Sequence, residues 1–287
     1  MSILLIGATG LVGTRLAAQL AGRDDVRALA RSEATATRLT DAGVTAVRGD
    51  LADPASLTQA FDGVRRLFLL TPYGPQQTAL EHAALDAAER AGVTGVVYLS
   101  LIGADLDIAF ARPHRQVEAR LAASPLATTV LRPDFFAQNL HGQLDLIRQA
   151  SIVFPAGDTA LAPIDVEDIA AAAAAALTAP AQPTGAYTLT GPQRLTFADI
   201  AARTGAALNR TVTYVDAPPS VWHQGLLDAG VPPLFADGYS EMFDVYRQTG
   251  GTYVTHGVRQ LTGTAPRPLE AFLDAELLPS INQQQPA

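Results

Sequence analysis

Short apolar runs, β-branched or leucine-rich, recur at regular intervals through the first half of the chain, at residues 2–6, 26–30, 45–48, 66–70, 95–100 and 128–131. The stretches between them, 11–20, 34–41, 56–61, 76–91 and 115–123, carry apolar residues three and four apart, the spacing of a helix that buries one face. Strands and helices alternating at this length predict an α/β fold with a doubly wound parallel sheet, its first strand near the centre.

After Arg132-Pro133 the rhythm loosens. A helix is expected near 137–148, and an alanine-rich one is opened by Asp165-Val166-Glu167-Asp168, where the Asp165 side chain is placed to accept a bond from an early backbone N–H. The small residues over 170–176 let that helix approach a neighbour closely. Residues 187–190, 197–207 and 211–215 read as strand, helix, strand, and beyond Pro218-Pro219 the chain turns aromatic, with Trp222, Phe235, Tyr239, Phe243 and Tyr246. This part predicts a smaller C-terminal α+β lobe over the carboxyl edge of the sheet, where open α/β sheets bind ligands. The expected division is a sheet core over 1–150 and a mixed region, 151–287, that partly returns to the core and forms the lobe. The tail from residue 280 is expected to fray.

Composition narrows the chemistry. With 287 residues, 48% of them hydrophobic, the chain can bury one large α/β core and such a lobe. A net charge of −8 with scattered acids offers no clustered cations to a phosphate backbone, so nucleic acid is not expected as a direct partner. No apolar run nears the roughly 20 residues that a bilayer core needs, and Met1-Ser2-Ile3 enters the first strand without a basic leader. The expectation is a cytoplasmic protein with a small-molecule substrate and no membrane partner, with a homo-oligomer left open. Cysteine is absent, which removes disulfides and thiolate nucleophiles. Lysine is absent too: all twenty basic residues are arginine, so neither a Schiff base nor a Tyr-x-x-x-Lys pair can form. His82, His141, His223 and His256 fall on different predicted elements without metal-ligand spacing, and no metal site is expected.

The first βα junction reads Ile6-Gly7-Ala8-Thr9-Gly10-Leu11-Val12-Gly13. Its glycines permit a tight turn and a close backbone approach to a pyrophosphate, and the following helix N-terminus offers free N–H groups and a positive dipole. Coming after a predicted strand and before a predicted helix, it predicts a Rossmann dinucleotide site built from Gly7 through Gly13. The second strand ends Leu29-Ala30-Arg31-Ser32. An NAD-selective site usually keeps an acid there for the ribose 2′-hydroxyl, whereas Arg31 suits a 2′-phosphate, so the cofactor predicted is NADP(H). Asp50-Leu51 after the third strand falls near the adenine by placement, although Asp50 equally suits the start of the turn into Asp53-Pro54. Leu70-Thr71-Pro72-Tyr73, after the fourth strand, flanks the nicotinamide half.

Taken together, Gly7-Ala8-Thr9-Gly10-x-x-Gly13, Arg31, Gly49-Asp50-Leu51, Tyr98-Leu99-Ser100, His114-x-x-x-Glu118, Leu131-Arg132-Pro133-x-Phe135-x-x-Asn139, Asp165-x-x-Asp168-Ile169-Ala170 and Leu189-Thr190-Gly191-Pro192 make the chain resemble the NmrA-like atypical short-chain dehydrogenase/reductases over nearly its whole length. The resemblance implies Arg31 as the 2′-phosphate contact, Thr71-Pro72 beside the nicotinamide, and 133–139, with Pro133 and Phe135, as a wall shared by cofactor and substrate. The group includes NADPH-dependent quinone reductases, triphenylmethane dye reductases and a regulator that binds dinucleotide without known turnover. The larger superfamily's catalytic helix carries a Tyr and a Lys. Here the equivalent helix begins Arg112-Pro113-His114-Arg115-Gln116-Val117-Glu118, with neither.

Hydride transfer needs little from the protein beyond orientation, since the cofactor supplies the chemistry. The reading is therefore an NADPH-dependent reductase of a small, flat, electrophilic acceptor of the quinone, dye or enone type; the alternative is a non-catalytic NADP(H) redox sensor. Candidate proton donors are His114, Tyr73 and Ser100. A His near neutrality can donate, and Glu118 one turn later could orient or charge it, though a helix-start His beside a surface Glu is also an ordinary pair. Ser100 stands where the superfamily keeps a substrate-orienting hydroxyl, or simply caps its strand. Tyr73, Phe135, Asn139 and Trp222 are expected to line the substrate pocket, with His223 at its border, the rings stacking on the acceptor and the amide fixing a carbonyl.

Overall fold

A computed structural model describes residues 2–23 and 25–283 of the chain. Strands β1 (Ile3–Leu5), β2 (Val26–Ala30), β3 (Thr45–Arg48), β4 (Arg66–Leu69), β5 (Gly95–Leu99) and β6 (Ala127–Pro133) form where the apolar runs place them. After β7 (Ser151–Phe154) and β8 (Ala160–Leu161), strand β9 (Gly185–Leu189) returns to pair with β6. The result is a seven-stranded, all-parallel sheet in the order β3-β2-β1-β4-β5-β6-β9. Strands β1, β4 and β5 are buried along their whole length while edge strand β3 is not. This is the gradient expected when helices cover both faces of a parallel sheet.

The crossover helices are α1 (Leu11–Gln19), α2 (Glu33–Asp41), α3 (Leu57–Phe61), α4 (Gln77–Arg90) and α5 (Ala111–Ala122). Helix α5 starts at Ala111 rather than at 115, because Pro113 falls in its first turn, where no backbone donor is needed. The helix expected near 137–148 is split into a 3-10 stretch, Ala137–Gln143, and α6 (Leu144–Arg148).

The alanine-rich helix α7 (Val166–Thr178) is pinned at both ends. The Glu167 backbone N–H donates to the Asp165 carboxylate at 3.0 Å, as the sequence suggests. At the other end the buried guanidinium of Arg66, on β4, donates to the carbonyls of Ala176 (3.1 Å) and Leu177 (2.8 Å), which the helix itself leaves unpaired. Between these caps Ala170, Ala172, Ala173 and Ala176 are fully buried, and their small side chains let α7 lie along α1.

In the remaining chain β7 pairs with β11 (Thr213–Asp216) and β8 with β10 (Leu195–Thr196), around helix α8 (Phe197–Ala207). Phe135, Phe154, Phe197, Phe243 and Phe272 pack here into a second core, with Phe154 and Phe197 centroids 4.7 Å apart. This is the expected C-terminal lobe, and its core already begins at Phe135. The aromatic stretch, where the spacing gave no element, forms α9 (Pro219–Asp228) and α10 (Pro233–Thr249), each with proline in its first turn. They are followed by α11 (Gly257–Thr262), α12 (Leu269–Phe272) and α13 (Leu278–Asn282). The tail does not fray at residue 280: Ile281 is buried and Arg148 donates to the Ser280 carbonyl at 3.1 Å, while residues 284–287 lie outside those described. No helix among the described residues is long and apolar enough to cross a membrane.

The α1–α7 packing gives a direct stability test. Ala173→Leu inserts a side chain where no space exists and is expected to lower unfolding free energy by about 1–3 kcal/mol, since overpacked cores strain by that amount. A lower urea midpoint at unchanged slope is the expected result.

Candidate active site

The glycine turn is closed by backbone contacts that tolerate no side chain. Gly7 has φ +86°, and a Cβ there would lie 2.4 Å from the Leu70 carbonyl oxygen; a Cβ on Gly13 would lie 2.0 Å from the Gly7 carbonyl oxygen. Gly10 caps α1 without a side-chain bond, and the first turn contains no acid. The early N–H groups of α1 therefore have no side-chain competitor, which is what an anionic phosphate requires. Arg31, just past β2, is exposed and makes no hydrogen bond or ion pair with the described residues. Asp50 takes the turn role, accepting from the Ala52 N–H at 2.9 Å, while Leu51 is half-buried against the core under β3. Pro72 is exposed and Thr71 buried.

A cavity of about 350 Å³ opens beyond the carboxyl ends of β4, β5 and β6. Leu11, Val12, Leu70, Thr71 and Ser100 line it on the side of the turn, and Pro133, Phe135 and Asn139 form a wall. Phe235, Tyr239 and Met242 of α10 close it from the lobe, and Phe110, just before α5, faces them from the sheet half. Tyr73 joins the two parts, edge-on to Phe110 (4.7 Å) and Phe235 (5.3 Å). Helix α10 reaches this position because Gly238 has no Cβ: one would lie 2.7 Å from the Phe110 ring. The Ala109 N–H donates to Glu241 of the same helix at 2.5 Å. The side-chain amide of Asn139 has no hydrogen-bond partner among the described residues.

Two sequence expectations about this lobe are corrected. Trp222 does not line the cavity; its indole stands behind the wall, 6.4 Å from the Tyr239 ring and 5.2 Å from Phe243. His223 bonds Asp237 at 2.8 Å and also faces away from the pocket.

Behind the cavity runs a polar chain. Fully buried Glu81 accepts from the Thr71 N–H (3.2 Å) and hydroxyl (2.8 Å), and from the Tyr98 hydroxyl (3.0 Å). The Tyr98 oxygen lies 2.7 Å from His114 Nδ1, and His114 Nε2 lies 3.4 Å from the Gln77 amide nitrogen. A second set begins at Ser100, whose hydroxyl donates to Glu118 at 2.6 Å; the guanidinium of Arg132 clasps the same carboxylate, its Nε at 3.0 Å. Burial lifts the Glu81 carboxyl to about 7, against the hydrogen bonds that favour its ionised form. It lowers His114 to about 4 and raises Tyr73 and Tyr98.

These facts revise the proton-donor expectations. Glu118 does not bond His114; it holds Ser100 and Arg132, and its charge only partly offsets the burial that keeps the ring neutral. The Ser100 hydroxyl proton is committed to Glu118, and Tyr73 is a weaker acid than a free phenol. Sequence reasoning gave no role to Glu81 or Gln77, and named Arg132 only within its motif. A signal existed for the first two, because Gln77 and Glu81 occupy the same buried stripe of α4 as Leu85 and Ala88, a place where ionisable groups are rare.

Sheet order, glycine turn and a cavity at the strands' carboxyl ends define a Rossmann-type protein with a smaller C-terminal lobe. The chain belongs to the NmrA-like family, whose model matches residues 1–273, as the sequence motifs suggested. It is 34% identical over 277 residues to the NAD(P)H azoreductase of Xenophilus azovorans, covering 95% of this chain and 97% of that protein. The Escherichia coli NADPH-dependent quinone oxidoreductase, solved with NADPH, superposes with a TM-score of 0.87 at 26% identity over 95% of this chain and 98% of that one. Triphenylmethane reductase of Citrobacter sp., solved with NADP(H), gives 0.85 at 25% identity over 96% and 99%.

The lifted Glu81 carboxyl should register in stability. Folded Glu81 keeps its proton to about pH 7, whereas an ordinary Glu releases it near 4.5; stability is therefore lost as pH rises through that window, by on the order of 3 kcal/mol. Glu81→Gln cannot ionise, so its melting temperature relative to the unaltered protein should rise between pH 5 and pH 8. An equal difference at both would refute the assignment.

Proposed function

We propose that the protein is an NADPH-dependent reductase that passes hydride to small, flat, electrophilic acceptors of the quinone, dye or enone type. The observation that carries this reading is the continuity of two features: Leu11 and Val12, which belong to the glycine turn and the start of α1, also line the aromatic cavity with Tyr73, Phe110 and Tyr239. The azoreductase and quinone oxidoreductase among its relatives support the same cofactor and acceptor class.

Bound NADPH supplies the hydride. The turn from Gly7 to Gly13 holds the pyrophosphate, and Arg31 pairs with the 2′-phosphate. Leu70, Thr71, Pro72, Pro133 and Phe135 flank the nicotinamide half, and Leu51 lies toward the adenine. The rings of Tyr73, Phe110, Phe235 and Tyr239 exclude water and offer faces and edges to a planar acceptor. The unpaired Asn139 amide donates to an acceptor carbonyl. Ser100, fixed by Glu118, presents only its oxygen lone pairs to the cavity. His114, neutral and lining the cavity, is the group that handles a proton there.

The test is to follow NADPH absorbance with a panel of quinones, cationic dyes and enones. Oxidation dependent on both protein and acceptor is expected; tight NADPH binding without oxidation of any acceptor would sink the reading. Arg31→Ala should weaken NADPH binding roughly 10- to 100-fold, the value of a charged hydrogen bond, and leave NADH binding as it was. Equal affinity of the unaltered protein for the two cofactors would remove Arg31 from its role.

A further inference from the structure

One part of the polar chain lies beyond the reach of any acceptor. Glu81 is fully buried on α4, yet it is joined to the cavity through two side chains in hydrogen-bond contact, Tyr98 of β5 and His114 of α5. We propose that Glu81, Tyr98 and His114 form a proton wire that carries a single proton between the buried carboxyl and Nε2 of the cavity-lining His114, the ring nitrogen not held by Tyr98, by reversing the hydrogen bonds between them. Its use in reduction rests on the reductase reading; its existence does not.

The wire has two states. With Glu81 as the acid, its O–H donates to the Tyr98 oxygen, the Tyr98 O–H donates to His114 Nδ1, and the imidazole carries its hydrogen on Nε2. When Nε2 gives that hydrogen to an acceptor made anionic by hydride, Tyr98 passes its proton to Nδ1 and Glu81 passes its own to Tyr98. The carboxylate left behind accepts from Tyr98, and the ring carries its hydrogen on Nδ1. One proton has left and one negative charge has moved from acceptor to Glu81, so the balance closes. After product departs, a solvent proton delivered to Nε2, with the hydroxide left by its donor water lost to bulk, refills the carboxyl by the reverse steps.

No imidazolium forms in either state, which matters in a site where burial holds the ring's own pKa near 4. Glu81, with its pKa near 7, populates acid and carboxylate alike around neutrality. Thr71 steadies the carboxylate from the β4–α4 segment through two donors, and Glu118, the other charge on α5 near the ring, is tied to Ser100 and Arg132. The amide of Gln77 suits both tautomers. As placed, its nitrogen lies 3.4 Å from Nε2 while its oxygen is buried without a partner; turned over, that oxygen accepts from Nε2–H.

The full chain labelled with 15N-histidine, titrated from about pH 5 to 9, reads the ring nitrogens directly by NMR, the His114 signals being assigned with His114→Gln. The expected result is a switch from the Nε2–H to the Nδ1–H tautomer as Glu81 ionises, with no imidazolium, lost in both Glu81→Gln and Tyr98→Phe. One tautomer throughout in the unaltered protein, or a switch that persists in Glu81→Gln, overturns the wire. Its use is read from the rate on an enone, which needs a proton, divided by the rate on a triphenylmethane dye cation, which hydride alone neutralises. Glu81→Gln should lower this ratio at least about 10-fold and flatten its pH profile, given what positioned acids contribute; an unchanged ratio overturns that use. A tautomer switch without NADPH oxidation of any acceptor would defeat the reductase reading and leave the wire intact.

Discussion

Backbone meets backbone without an intervening side chain at the first βα junction, and the rest of the structure depends on that contact. The Gly7 carbonyl occupies the space a Gly13 side chain would need, and Gly7 itself lies against the Leu70 carbonyl at the end of β4. These two approaches set the entry of α1 and bring the segment after β4 beside it. The cavity then forms where those elements and the end of β6 diverge, at the point where strand order reverses. Residues far apart in sequence, such as Val12, Thr71, Ser100 and Phe135, meet there because the sheet leaves them no other place.

How much of this was legible follows from the range of each interaction. The parallel sheet was, because each strand carries its own apolar run, and β2 and β3 fall at the expected residues. So was the capping of α7 by Asp165, a contact between close neighbours in sequence. The glycine turn declares itself by local spacing, and Tyr73, Phe135 and Asn139 do line the cavity. What failed required knowing which face of a lobe helix points inward. Trp222 lies in an aromatic stretch without clear periodicity, and α9 presents it to Phe243 instead of the pocket. The pairing of His114 with Glu118 failed for a related reason. Both lie on one helix at the right spacing, but Arg132, arriving from β6, outcompetes the imidazole for the carboxylate.

The two polar sets behind the cavity divide their work by charge. Ser100, Glu118 and Arg132 form a paired unit that fixes a hydroxyl at the cavity edge. Thr71, Glu81, Tyr98 and His114 contain no cation, so no positive charge offsets the burial that lifts the carboxyl into the neutral range. A chain without lysine has thereby placed an ionisable group within reach of its pocket by desolvation, where a Tyr-x-x-x-Lys site would use a neighbouring positive charge.

The seat of α10 on Phe110 has a consequence for how such a protein diversifies. The helix meets the sheet half at a glycine, and the aromatic surface it lends to the cavity is independent of the glycine turn on the opposite side. Substitutions along that one helical face can reshape the cavity while the glycine turn stays untouched. The molecule therefore separates inheritance from innovation: its sheet keeps the glycine turn, and the face of a single helix is free to vary.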